Sequence, residues 1–182
     1  SVKEKLRRIS KELEKASRDD ERENRRILKE ARDVIREAAD KIRRIEEELR
    51  KIIDRVRKET NGSEDELRRI EELMRRADTE LRKLEKTIED LLREVEERVK
   101  ESLERSRRSS ERLRELVRDL DEKPPSEEII EEVKRLVDEH KKRLDENVKR
   151  LKELVDRLRE TLERLVDRLR KLVETLKRES DR

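Results

Sequence analysis

Apolar residues return every three or four positions along almost the whole chain, in three runs. The first is Val2, Leu6, Ile9, Leu13, Ala16, then Ile27 or Leu28, Ala31, Ile35, Ala38, Ile42, Ile45, Leu49, Ile52 and Val56. The second is Leu67, Ile70, Met74, Ala77, Leu81, Leu84, Ile88, Leu91, Val95 and Val99, resuming at Leu113, Leu116 or Val117, and Leu120. The third is Ile130, Val133, Val137, Leu144, Val148, Leu151, Leu154 or Val155, Leu158, Leu162, Leu165, Leu169, Leu172 and Leu176. Steps of three and four put one apolar face on an α-helix. Helices are therefore predicted over about 2–59, 64–121 and 127–180, each about 85 Å long at 1.5 Å per residue. The first stripe advances by about 3.6 residues per step, so the helices should be nearly straight, without strong supercoiling.

The breaks between runs carry end signals. Asn61-Gly62 suits a left-handed C-terminal cap, and Ser63 with Glu66 three residues on forms a capping box. Pro124-Pro125 ends the second helix, since proline expels its predecessor from the helical region, and Ser126 is the next N-cap. Loops this short force consecutive helices antiparallel. The predicted fold is all-α: an up-down-up, antiparallel three-helix bundle forming a single domain over 1–182.

Each stripe is interrupted by polar residues at what should be one height. The breaks are Ser17, Asp20 and Asn24 in the first, Ser102, Ser106 and Ser109 or Ser110 in the second, and His140 and Asn147 in the third. Centring the turns near residues 62 and 124 sets Ser17 level with about residues 107 and 141, and Asn24 with about 100 and 148. Ser17, Ser106, Ser109 and His140 then share one layer. Asn24, Ser102 and Asn147 share the next, with Asp20 between. Thr87 and Thr161 make a weaker second coincidence. Unpaired buried polar atoms cost about 1–3 kcal/mol each, so groups that satisfy one another penalise any register that separates them.

Composition sharpens this picture. Charged residues make up 59%, hydrophobic residues 29% and aromatics 0%, against about 25% charged and 45–50% apolar in an ordinary domain. Because the apolar residues are periodic, the excess charge marks long helices packed on a narrow seam. The 55 basic side chains nearly balance the 52 acidic ones. No segment has the one-sided basic field or the aromatics that nucleic-acid binding uses. The chain contains no Cys, which excludes disulfides and thiolate metal sites. No apolar run approaches the ~20 residues of a membrane span, so a soluble protein is expected.

The polar breaks include the residue types of a catalytic triad, with Ser106 as nucleophile, His140 as base and Asp20 as orienter. A triad also needs an oxyanion hole, and continuous helices offer few free N–H groups to build one. A hydrogen-bond network is the favoured reading. No metal or other cofactor is expected, since bundle metal sites pair Glu-x-x-His motifs and the only histidine is preceded at that position by Val137. Arg107-Arg108-Ser109-Ser110 is similar to a basophilic kinase target, but the motif recurs easily in an Arg-rich chain and its serines should point inward.

Matched helices, the minimal loops Asn61-Gly62-Ser63 and Pro124-Pro125-Ser126, a Glu/Lys/Arg/Asp surface and a Leu/Ile/Val/Ala core with isolated Ser, Asn and His breaks span the whole chain. In these the chain resembles computationally designed helical bundles with buried hydrogen-bond networks. Spectrin-like repeats use shorter helices and core aromatics, and charged single helices lack a continuous stripe. The resemblance implies no evolved catalytic activity and a stable structural scaffold that requires no partner. The alternative is a component that self-associates or accepts a partner helix, because the 53 apolar residues slightly exceed the ~48 positions of three seams.

Overall fold

A computed structural model describes residues 1–59, 64–123 and 125–181. Three helices account for nearly all of them: α1 (Val2–Lys58), α2 (Glu64–Glu122) and α3 (Glu127–Asp181). The bounds agree with the periodicity to within one residue. The fold is an all-α three-helix bundle, and no described residue is in a strand.

The helix ends follow from local chemistry. Glu64, Asp65 and Glu66 open α2, and Glu127 and Glu128 open α3, setting negative charge on positive dipole ends. Arg55, Arg57 and Lys58 close α1. The Ser126 carbonyl accepts the first helical bonds, from the N–H groups of Ile129 and Ile130 at 3.2 and 3.3 Å, which makes Ser126 the N-cap position. Ser1 Oγ accepts from the Glu4 N–H at 3.3 Å, a cap of the Ser-x-x-Glu kind that hydrophobic periodicity does not reveal. The Asn61-Gly62 cap, the Ser63 N-cap and Pro124 lie outside the described residues.

Contacts divide the chain into two compact units. One comprises Ser1–Glu30 and Val95–Val155, the other Ala31–Glu94 and Asp156–Arg182. Each takes a segment from every helix. A residue on a long helix meets only neighbours within a turn or two of its own level, so contacts cluster by level rather than around one centre.

In the first unit, Leu6, Ile9, Val117, Ile130, Val133 and Val137 form a core cluster, with Val2, Leu113, Leu116 and Leu120 against it. Helix direction is fixed by cross-helix pairs. Ser17 meets Ser110 and Glu21 meets Arg107, so α1 and α2 run antiparallel. Lys5, Glu12 and Glu23 meet Glu127, Lys141 and Lys152 in ascending order, so α1 and α3 run parallel.

In the second unit, Ile42, Ile45, Leu49 and Ile52 of α1 and Leu81, Leu84 and Ile88 of α2 are buried with Leu158, Leu162 and Leu169 of α3. Arg55 reaches Ser180 Oγ at 2.6 Å and Asp181 at 2.9 Å, tying the end of α1 to that of α3. The α3 seam differs from expectation here: Val166 and Val173 are buried, whereas Leu165 and Leu172 are half-buried. Each pair is adjacent and apolar, so periodicity admits either member. The rotation of α3 against its neighbours selects the valine. Thr87 Oγ1 donates to the Lys83 carbonyl of its own helix at 2.8 Å and does not cross to α3.

Candidate functional site

The polar breaks of all three stripes lie in the first unit. Asp20, Asn24, Ser102, Ser106, Ser110 and His140 are buried, Asn24 completely. Ser17, Ser109 and Asn147 are half-buried.

One hydrogen-bonded chain joins the three helices. Ser17 Oγ donates to the Leu13 carbonyl at 3.0 Å and contacts Ser110 Oγ at 2.9 Å, and Ser110 Oγ contacts His140 Nε2 at 3.1 Å. A hydroxyl has one proton. That of Ser17 is committed to Leu13, so Ser110 donates to Ser17. Ser110 then has only a lone pair for His140, so Nε2 carries a hydrogen. The chain runs His140 Nε2–H to Ser110 O–H to Ser17 O–H to the Leu13 carbonyl. It holds whether the imidazole is neutral or charged.

The pairing corrects the expected register. Ser17 lies opposite Ser110, three residues or about one turn from the anticipated level. Ser109, which the expected register sets in the layer, stays half-buried at a groove while its neighbour Ser110 makes the bonds. Asn147 likewise lines that groove, outside the buried set.

One turn further along α1, Asp20 lies beside Ser106 and Asn24. Burial raises its carboxyl pKa above 3.8, and the hydrogen-bonding influence of Ser106 and Asn24 only partly opposes this, with Glu21 and Asp145 adding to the rise. The weak opposition has a geometric reason. Ser106 Oγ donates to the Ser102 carbonyl and Asn24 Nδ2 to the Asp20 carbonyl, each at 2.8 Å. The Ser106 proton and one of the two Asn24 amide hydrogens are thus drawn to their own helix backbone, as serine and asparagine side chains within helices commonly are. Asp20 Oδ1, Asn24 Oδ1 and Ser102 Oγ are left buried with no hydrogen-bond partner among the described residues. His140 shifts the other way: burial, then the Arg143 charge, lowers its pKa below 6.5.

The triad arrangement of Ser106, His140 and Asp20 is not assembled. The Ser106 proton goes to Ser102, and His140 contacts Ser110 as a donor, the reverse of what a general base offers. Among the described residues no group of three or more His, Asp or Glu side chains is placed to hold a metal ion. No described helix is long and apolar enough to cross a membrane.

Two grooves flank the layer. One, of about 710 Å³, lies between α1 and α3, with Ala16, Leu144 and Val148 as its apolar part and Asp20 in its wall. Glu12–Lys141 and Glu23–Lys152 ion pairs, at 3.2 and 3.7 Å, join its two sides. The other, of about 440 Å³, lies between α2 and α3 and is lined by Ser106, Ser109, His140 and Asn147. Compared with family models, curated proteins and solved structures, the chain matches none.

Proposed function

We propose that this chain is a de novo designed structural scaffold, with no evolved catalytic activity, whose buried polar layer specifies which helix faces which and at what level. The observation that carries this reading is the Ser17–Ser110–His140 chain, which takes one side chain from each helix. A slip that draws the polar groups of the three helices apart would leave them facing apolar side chains, at about 1–3 kcal/mol per orphaned atom. Regular helices with matched polar breaks are what such specification needs. The test replaces Ser17, Asp20, Asn24, Ser102, Ser106, Ser110 and His140 together by Ala or Leu. Folding stability should hold or rise, while light scattering reveals mixed oligomers in place of one monomeric species. A layer-free variant that remains a single, uniquely folded monomer overturns the reading.

A second reading is favoured by a specific observation. Asp20 Oδ1, Asn24 Oδ1 and Ser102 Oγ have no partner, and Asp20 borders the α1–α3 groove. The Asp20 orphan fits a component of a larger helical assembly, in which a further helix lies in that groove and supplies a side-chain N–H donor to Asp20. A dimer or trimer that dissociates on Asp20→Leu substitution supports this reading. A monomer across a wide concentration range supports the first.

A further inference from the structure

The α2–α3 groove has a charge pattern that neither the layer nor the packing uses. Its walls present Arg105, Arg108 and Arg112 from α2 and Arg143 and Arg150 from α3, against one carboxylate, Glu146. In a chain with 55 basic and 52 acidic residues this local imbalance stands out. It arises from spacing. Residues 105, 108 and 112 are three and four apart, and 143 and 150 are two turns apart, so each set occupies one helix face. Packing α2 beside α3 turns the two faces toward a common concavity.

The guanidinium groups are available. Arg105, Arg108 and Arg143 have carboxylates on their own helices at 3.6 to 3.9 Å, in Glu101, Glu104 and Glu139, and all three pairs are exposed. Such pairs contribute little and exchange readily. Arg112 and Arg150 have no ion-pair partner among the described residues. The groove also contains the half-buried Ser109 hydroxyl and Asn147 amide, which have no hydrogen-bond partner among the described residues. No lysine lines it. Arginine presents a planar fork of N–H groups that meets phosphate oxygens in pairs, and converging arginines on a concave wall reinforce one another's field.

We infer that this groove is a binding site for a compact polyphosphate. Its volume of about 440 Å³ suits a small multiply charged anion. Extended nucleic acid is less well served, because no aromatic side chain is present for base stacking.

The test uses the full chain and inorganic triphosphate as the probe. Calorimetric titration at low salt should give saturable binding with a stoichiometry of one, weakening as salt screens the charges. Arg112→Ala combined with Arg150→Ala should weaken it tenfold or more. The same change at Arg36 and Arg44, in the other unit, should leave it unaltered. Alanine at exposed helical sites preserves helicity, which circular dichroism checks. His140 lines the groove and is the only histidine, so its ring resonances report the site alone. Bound anion should favour the imidazolium and raise the His140 titration midpoint. Absence of binding at millimolar triphosphate overturns the proposal. So does equal weakening by both double variants, or binding that leaves the His140 midpoint unmoved.

Discussion

Replacing Asp20 by leucine should stabilise the protein at neutral pH. Asp20 is 5% exposed, its Oδ1 has no partner among the described residues, and the proton of the neighbouring Ser106 is committed to a backbone carbonyl. Leaving a buried polar atom unsatisfied costs about 1–3 kcal/mol, and a charge raises that cost. Leucine removes the orphan and extends the apolar seam, so a gain of about 1–3 kcal/mol is expected, read as a higher midpoint in guanidinium unfolding. The pH dependence separates desolvation from simple packing. Burial raises the folded-state pKa of Asp20 above 3.8, so the folded protein takes up a proton before the unfolded chain does. The wild-type penalty is complete above that folded pKa and fades as pH falls through it toward 3.8. The advantage of the leucine variant should therefore shrink on acidification. A variant that is no more stable at neutral pH, or whose gain is the same in acid, refutes a desolvation penalty at Asp20.

Ser110→Ala removes the central member of the three-helix chain and strands the His140 Nε2–H, while Ser17 keeps its bond to the Leu13 carbonyl, so a loss of about 1–3 kcal/mol is expected by chemical denaturation. The direction of proton donation places a hydrogen on His140 Nε2, so the neutral ring should be the Nε2–H tautomer, which nitrogen-15 NMR reads directly; a neutral ring protonated at Nδ1 would contradict the chain. Burial lowers the His140 pKa, so the folded state binds this proton less readily than the unfolded chain. Stability should accordingly begin to fall as pH drops below about 6.5, with that part of the pH profile flattened in His140→Leu. The rotation of α3 predicts that Leu169→Ala, at a 2% exposed site, costs about 2–5 kcal/mol, while Leu165→Ala costs distinctly less in the same assay.

Helix number, extent and pairing order were legible in the sequence because they depend on local properties. Periodicity identifies a helical face, caps and prolines mark the ends, and short loops leave consecutive helices only the antiparallel arrangement. The coincidence of the polar breaks was legible for the same reason, since chain reversal near residues 62 and 124 relates levels by arithmetic. Three things needed the tertiary structure. The register shifted by about one turn, which exchanged Ser109 for Ser110 and paired Ser110, not Ser106, with Ser17. The rotation of α3 chose Val166 and Val173 over their leucine neighbours. The arginine groove required two helix faces, each ordinary on its own helix, to be turned toward each other. Sequence specifies which residues share a face through a repeat of 3.6. Rotation and level are set only when side chains from separate helices compete for the same space and for the same hydrogen-bond partners.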